Sequence, residues 1–371
     1  VQAGKINTFA SWRKCAKDNH NQFAMNQPCH NFHVSVAPSG RSFTVATDET
    51  ILTAGIRQGV NLPYGCKDGA CGSCKCKLLS GQVTLGAHQD KALSRQEQAQ
   101  GYILTCCASA ASDVALESRQ VTPEGALPLK KMPTRVRQME QLCADVMRLQ
   151  LQLPASEVFQ YHAGQYVEFL LKDGKRRSYS MANAPHLIGQ GLELHIRHMP
   201  GGLFTDQVFG TLKERDILRI EGPFGSFYLR EHSAKPIILL ASGTGFAPIK
   251  ALVEHMQQSG TERPATLYWG GRRPADLYLE HWVRGKLAEL PWLHYVPVIS
   301  DALPEDDWRG RSGFVHQAVL QDTPNLSGHQ VYACGAPVVV DSARRDYLAA
   351  GLPADEFFAD SFTTEADKAS V

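Results

Sequence analysis

The sequence predicts a multidomain protein, with a small α+β domain, then an antiparallel β-barrel or sandwich, then an α/β domain built on a parallel sheet. Three observations predict it. Four of the ten cysteines crowd between positions 66 and 76. Short strand patterns separated by turn signals fill about 134–229. Strand and helix patterns alternate from about 230 onward. At 371 residues, 43% hydrophobic and 20% charged, the chain has the length of two or three globular domains and the composition of an ordered one. Lys plus Arg number 38 against 37 for Asp plus Glu, a net charge of +1, so nothing general attracts nucleic acid or an anionic membrane. The best apolar run, Ile237–Ala241, is strand-length and far short of a membrane span.

Residues 1–30 are expected to be a disordered or artefactual tail. Val1–Gln27 is polar and patternless, has no signal-peptide core, and contains Met25 as a candidate start. A cytoplasmic protein is expected on this reading, and clustered cysteines there point to a metal or redox site rather than to disulfides.

The first domain is placed at 31–121. Phe32–Val36 and Ser42–Thr47 alternate around Pro38-Ser39-Gly40, a hairpin signal. Ile51–Gln58, closed by Gly59, reads as a helix, and Ser94-Arg95-Gln96-Glu97 has the capping-box form of another. Cys76–Val83 and Asp113–Glu117 read as strands. Residues 122–133, with three prolines and a glycine, read as a linker. The second domain, 134–229, carries strand patterns at Val146–Leu153, Tyr166–Leu171, Leu192–His198 and Ile217–Ile220, with one helix at Leu203–Phe209. In the third, 230–371, strands at Pro236–Ala241, Ala265–Trp269, His294–Ile299 and Val331–Ala333 alternate with helices at Phe246–Gln257, Leu277–Leu290 and Val338–Ala350.

Within the cysteine cluster, Cys66, Cys71 and Cys74 stand in a C-x4-C-x2-C spacing, and the adjacent pair Cys106 and Cys107 lies downstream. Four thiolates satisfy two bridged irons, two per iron, so the pattern points to a [2Fe–2S] cluster. Structural zinc favours paired C-x2-C knuckles, and the second half of the pattern has none. Gly65, Gly69 and Gly72 are expected to let the loop wrap tightly. Cys76 and Cys107 read as packing residues.

Farther on, Arg177-Ser178-Tyr179-Ser180 lies on a predicted strand, with Arg177 and Tyr179 on one face. Pro200-Gly201-Gly202-Leu203-Phe204-Thr205 opens a helix, where backbone amides favour an anion. Ser242-Gly243-Thr244-Gly245-Phe246-Ala247-Pro248 follows a buried strand and opens another, a phosphate-cradle pattern with Pro248 in place of a last glycine. Cys334-Gly335-Ala336-Pro337 again joins a strand to a helix. Taken alone, Cys334 reads as a small buried hydrophobe.

In this order the motifs resemble the ferredoxin–NAD(P)H reductase superfamily in its iron–sulfur-fused form. Reductase components of bacterial ring dioxygenases and di-iron monooxygenases look like this, and the CDP-6-deoxy-Δ3,4-glucoseen reductase type is closer still. Asn61-Leu62-Pro63-Tyr64-Gly65-Cys66, His195-Ile196-Arg197-His198 and Glu356-Phe357-Phe358-Ala359-Asp360 carry the closer likeness. The resemblance spans about Phe32 to Thr363. It implies a plant-type ferredoxin domain, an antiparallel β-barrel FAD domain and an α/β parallel-sheet NAD(P) domain.

The resemblance also implies roles. Because Ile103-Leu104-Thr105-Cys106 is similar to the approach to the last ligand in plant-type ferredoxins, Cys106 joins Cys66, Cys71 and Cys74 as iron ligands. Arg177 is expected at the FAD pyrophosphate, Tyr179 against the isoalloxazine and Ser180 near its N5. Gly202 and Thr205 fall at the flavin phosphates. Gly243, Thr244 and Gly245 meet the nicotinamide nucleotide, Cys334 lies by the nicotinamide C4 beside Gly335, and Phe362 or Phe358 covers the other flavin face. Relatives usually read C-G-P, so Ala336 departs from the pattern.

NADPH users in the superfamily tend to carry a basic residue after the third strand of the nucleotide domain. Here Ser300 is followed by Asp301, so NADH is expected, although Arg272 and Arg273 nearby are able to bind phosphate. The implied function is electron transfer from NADH through FAD and the cluster to a partner protein. That partner is a pyridoxamine-phosphate dehydrase acting on a CDP-sugar or, alternatively, a Rieske or di-iron oxygenase. A redox-sensing module without turnover is the third reading. Oligomeric state is not legible; no long heptad pattern is present.

Overall fold

The computed structural model describes residues 31–121 and 125–364, together with the backbone of Ile6 and Asn7. The expected tail, residues 1–30, otherwise lies outside the described residues, as do residues 122–124 of the expected linker. Two compact units form, one within residues 1–126 and one over Leu127–Thr363.

In the first unit, the short β1 (Ile6–Asn7) runs parallel to β5 (Val83–Leu85), which also pairs with β7 (Ala108–Ala110). The main sheet has five strands in the order β3-β2-β8-β4-β6: β2 (Asn31–Ala37), β3 (Arg41–Ala46), β4 (Lys75–Ser80), β6 (Tyr102–Leu104) and β8 (Val114–Glu117). β2 and β3 form the expected hairpin, with Val34, Val36, Phe43 and Val45 on the buried face. Helix α1 (Ile51–Arg57) is capped by Thr50 Oγ1, which accepts from Thr53 N–H at 3.2 Å. Helix α2 (Arg95–Ala99) has the full capping box between Ser94 and Glu97. The run expected as one strand, Cys76–Val83, is two, because Gly81 turns the chain at φ +95° between β4 and β5.

The second unit begins with β9 (Lys130–Cys143), so residues 130–133 belong to a strand rather than to a linker. Pro133 is tolerated there because it pairs with Arg219 on one side, while pairing on the other side begins only at Arg135. With β10 (Val146–Gln152), β11 (Tyr166–Leu170), β12 (Arg176–Ser180), β13 (Leu192–Arg197) and β14 (Ile217–Phe224), β9 makes a six-stranded antiparallel sheet ordered β12-β11-β14-β9-β10-β13. Its two ends meet through a bridge between Met181 and Leu194 and an Ala182 N–H bond to Glu193 O at 2.8 Å, which curls the sheet into a barrel. Helix α3 (Leu203–Gly210) closes one end with Phe204 and Val208.

The last sheet is wholly parallel and ordered β18-β17-β16-β15-β19-β20. It comprises β15 (Ile237–Ser242), β16 (Ala265–Gly271), β17 (Leu293–Ile299), β18 (Arg311–Ser312), β19 (Gln330–Gly335) and β20 (Phe357–Ser361). Helices α4 (Phe246–Ser259) and α5 (Glu280–Glu289) pack on the face carrying Leu239, Leu267 and Trp269. α6 (Val315–Asp322) and α7 (Pro337–Ala349) pack on the face carrying Ile238, Leu240 and Tyr268. Val146, Ala163, Phe227 and Leu229 join the first of these clusters, so one core runs across the boundary expected at 229/230. Strand order reverses at β15, which opens a crevice at the carboxyl ends of β15 and β19.

Candidate functional site

In the first unit, the cysteine loop precedes β4 and packs against residues 87–92. Of the three loop glycines, Gly69 and Gly72 take positive φ (77° and 72°), as does Lys67 (68°), and Gly65 is not among them. A Cβ on Gly69 would lie 2.8 Å from Cys107 Sγ, so the close approach of the β6–β7 turn requires glycine there. That turn is tied to the loop by Thr105, whose N–H and hydroxyl both donate to Cys74 O at 3.2 Å.

Among the described residues no three donor side chains surround a common point; the thiols fall instead as two close pairs. Cys74 and Cys106 place their sulfurs 3.1 Å apart. Cys71 Sγ accepts a bond from the Cys66 thiol and from the Cys66 N–H at 3.4 Å. The bond from Cys66 and the surrounding N–H groups, Ser73's among them, outweigh burial and bring the Cys71 thiol down to about 6. Cys66 and Cys106 are pushed up by the neighbouring sulfurs that hold the negative charge.

Two pairs of sulfurs are, in number and chemistry, a donor set that fits two bridged irons. Cys107 Sγ lies 3.5 Å from Cys106 Sγ, farther than the 3.1 Å that separates Cys106 from Cys74. Cys76 is fully buried and raised to about 12 by that burial and by the neighbouring Cys74, with Ser118 as its hydrogen-bond partner, as expected of a packing thiol. Cys107→Ala is therefore expected to keep full iron content, and Cys106→Ala to lose it, in metal analysis of the two variants.

In the second unit, β12 presents Arg177 and Tyr179 on one face. The Arg177 guanidinium donates to Arg176 O at 2.8 Å. Arg176 turns the other way and pairs with Glu168 and Glu221. The half-buried Tyr179 packs against Phe169 and Phe204, with ring centroids 5.8 and 5.5 Å away. The Thr205 hydroxyl donates to Met199 O at 2.9 Å and accepts from Met199 N–H at 3.2 Å, so it builds the turn through Gly202 that opens α3. Ser180 is buried and donates to Asp360 Oδ2 at 3.0 Å.

Asp360 stands opposite Cys334 in the β19–β20 register, so it joins Ser180 to Cys334, a link the sequence did not reveal. Burial, and then the Asp360 charge, push the Cys334 thiol well up, which keeps it protonated and unreactive at neutral pH.

The glycine turn after β15 touches the end of β19 backbone to backbone. A Cβ on Gly245 would lie 2.1 Å from Cys334 O, and one on Gly335, at φ +125°, would lie 2.3 Å from Ser242 O. Gly243 O accepts from Trp269 Nε1 at 3.0 Å, and Thr244 is half-buried in the same turn.

This turn borders a cavity of about 610 Å³ lined by Arg197, Ser242, Gly243, Arg272, Ser300 and His316, among others. Arg197 sits between Asp145 at 3.2 Å and Asp276 at 3.7 Å, with buried Nε and Nη2 that make no hydrogen bond. His316 Nδ1 and Ser361 Oγ are likewise buried without a hydrogen-bond partner. A cavity at the strand reversal, with unmet donors and a backbone turn at its wall, fits a dinucleotide.

Of the two aromatic candidates, Phe358 is core: it stacks on Tyr332 at 4.9 Å beneath the Arg230 guanidinium. Phe362 lies past the end of β20, its N–H bonded to Gly335 O at 2.9 Å.

Comparison with known proteins finds three domain families in the expected order. Residues 34–111 match the family model for a 2Fe-2S iron-sulfur cluster binding domain, 133–228 that for an oxidoreductase FAD-binding domain, and 239–345 that for an oxidoreductase NAD-binding domain. The chain is 40% identical over 335 residues to the CDP-6-deoxy-L-threo-D-glycero-4-hexulose-3-dehydrase reductase of Yersinia pestis, covering 90% of this chain and 98% of that protein. It is 36% identical over 339 residues to reductase component 2 of terephthalate 1,2-dioxygenase from a Comamonas species, at 90% and 98% coverage. Among solved structures, the ferredoxin reductase in carbazole 1,9a-dioxygenase aligns with a TM-score of 0.64 at 26% identity, over 91% of this chain and all of that one. The Amycolatopsis reductase GcoB aligns with a TM-score of 0.72 at 32% identity, over 90% and 99%. The chain is an NAD(P)H-dependent oxidoreductase and belongs to the iron–sulfur flavoprotein reductases of the ferredoxin–NAD(P)H reductase superfamily.

Proposed function

We propose that the chain is the NADH-dependent reductase of a deoxysugar dehydrase, with Cys66, Cys71, Cys74 and Cys106 holding the cluster. The pairing of sulfurs supports Cys66 with Cys71 on one iron and Cys74 with Cys106 on the other. When bound, FAD converts the two-electron donation of NADH into single electrons for the cluster. Arg177 and the α3 amino terminus would take the flavin phosphates, with Thr205 and Gly202 shaping that turn. Tyr179 would stack on the flavin, and the Ser180 hydroxyl, oriented by Asp360, would face its N5. Gly243, Thr244 and Gly245 would cradle the pyrophosphate, and Arg197 would add charge to it. The neutral Cys334 thiol, next to Gly335, would pack by the nicotinamide, and Phe362 would cover the flavin.

NADH over NADPH is supported by what the arginines already hold. Arg273 is bound in a two-point contact to Asp306, at 2.7 and 2.9 Å, and Asp306 is held below the usual carboxylate range mainly by that bond. Arg272 is paired with Asp276 at 3.5 Å. Asp306→Ala leaves Arg273 only its looser pair with Glu305 at 3.8 Å and is expected to raise kcat/KM for NADPH severalfold while leaving that for NADH within error.

The observation that carries the partner reading is the 40% identity, along nearly the full length, to the Yersinia pestis dehydrase reductase. The terephthalate dioxygenase reductase, at 36%, supports an oxygenase as the second reading. Purified protein mixed with NADH and either a CDP-hexulose 3-dehydrase charged with its sugar or a terephthalate-type oxygenase component decides between them. Deoxysugar formation with the first and no turnover with the second is the expected result, and the reverse result overturns it.

A further inference from the structure

A cluster of buried charges sits between the strand that carries Ser180 and the helix that begins at the glycine turn. Lys250 of α4 is 5% exposed, and its Nζ reaches Glu254 Oε1 at 2.6 Å, Ala182 O at 3.0 Å and Glu193 Oε1 at 3.4 Å. Glu254 Oε2 accepts from Ala184 N–H at 2.9 Å. One face of α4 thus grips the backbone just past Ser180 at both a carbonyl and an amide.

A second arm leaves from Glu193. His195 Nε2 lies 2.8 Å from Glu193 Oε1, and His195 Nδ1 lies 3.0 Å from Tyr278 OH. Burial raises the Glu193 carboxyl, but the hydrogen bond from His195 and the charges of Lys250 and Arg148 outweigh it and hold the group near 2. Burial keeps His195 neutral and Tyr278 protonated, so the proton order is Tyr278 O–H to Nδ1 and Nε2–H to Glu193. The Tyr278 ring meets Trp269 edge-on at 5.3 Å, and Trp269 donates to Gly243 O. Both arms therefore run from the segments flanking the Ser180 strand to the glycine turn.

Buried ion sets cost desolvation, and an apolar core of equal volume generally stabilises as well. What the ions add here is direction, since one ammonium group meets three acceptors on two strand-linked segments and one helix. We infer that Lys250 and Glu254 are positioning residues for hydride transfer, holding the end of β12 at a set distance from the turn that receives the nicotinamide. The inference rests on the placement of Ser180 at the flavin and Gly243–Gly245 at the nucleotide proposed above. In that transfer, the C4–H bond of NADH breaks with its electron pair and an N5–H bond forms on oxidised FAD. NADH leaves as NAD⁺, and the flavin becomes the two-electron-reduced anion. A misplacement of about 1 Å between donor and acceptor is able to cost on the order of a hundredfold in rate. The charged cluster lies outside the cavity wall, so it governs the rate of transfer and not the affinity for nucleotide.

The test is the double variant K250M/E254Q, which removes both charges, keeps side-chain volume and leaves an acceptor for Ala184. Three quantities are read in the FAD-loaded protein: the limiting rate of flavin bleaching by excess NADH in anaerobic stopped flow, the NAD⁺ affinity by equilibrium dialysis, and amide exchange at Ala184 and residues 243–246. The expected result is a limiting rate lower by about tenfold or more, affinity within about twofold, and faster exchange at those amides. Tyr278→Phe, which unpairs no charge, is expected to give a smaller loss of the same kind. An unchanged limiting rate in the folded variants overturns the inference, as does a loss of affinity in step with the rate. Wild-type protein that binds FAD and NAD⁺ yet is not bleached by NADH defeats the underlying placement instead, and that outcome is visible before any variant is made.

Discussion

Cys71→Ser is expected to abolish NADH-dependent cytochrome c reduction while sparing ferricyanide reduction. Cytochrome c takes single electrons from the cluster, whereas ferricyanide is able to take them at the flavin. The substitution removes little volume, but it removes the anion. The Cys71 sulfur is drawn down to about 6 by the hydrogen bonds it accepts, first from the Cys66 thiol and then from backbone N–H groups. A serine hydroxyl does not ionise near neutral pH in the same setting, so one iron loses a ligand. Loss of roughly a hundredfold or more in the first assay, against less than about twofold in the second, is the expected split. Equal loss in both assays means the cluster does not lie downstream of the flavin.

The second large effect belongs to Gly245→Ala. Its added carbon would sit 2.1 Å from Cys334 O, and the next nearest atoms are also backbone, Cys334 C and Gly335 Cα. No side chain is there to swing aside, so the turn after β15 and the end of β19 must separate. The strain is on the order of 1–3 kcal/mol or more, and it falls on the turn whose Ser242 and Gly243 border the cavity. Melting temperature should drop, and NADH oxidation should fall by roughly a hundredfold because the nicotinamide and flavin positions no longer coincide. Gly285→Ala serves as the contrast. Gly285 is an exposed position in α5 with open space where its Cβ would be, so the change is expected to stabilise by about 0.5–1 kcal/mol and leave turnover unaltered.

Local patterns in the chain account for the elements that were foreseen. The β2–β3 hairpin, the capping box at Ser94 and the strand–helix alternation after Pro236 each depend on neighbouring residues, and each appears where expected. β9 was missed because only Met132, Thr134 and Val136 of its buried face stand out among charged and polar neighbours, and Pro133 hides the alternation. The choice between Cys106 and Cys107 illustrates another limit. Spacing treats the two alike, and it is the fold that brings Cys106 to Cys74.

The same holds for Asp360 and Arg197. Asp360 acquires its place through strand register with Cys334 and through a contact with Ser180 that is 180 residues away in sequence. Arg197 acquires its place from Asp145 and Asp276, which are far apart in sequence. Long-range pairings of this kind leave no periodic trace, so the cofactor motifs were legible and the residues that orient them were not.

Anaerobic titration with NADH, followed by optical and paramagnetic resonance spectra on protein assayed for iron, acid-labile sulfide and FAD, tests the scheme at its root. Iron and sulfide in equal amounts, about two of each per FAD, with bleaching of the flavin and appearance of a reduced-cluster signal, is the result this structure leads one to expect. Zinc in place of iron and sulfide, or a cluster that stays oxidised while the flavin bleaches, would contradict it.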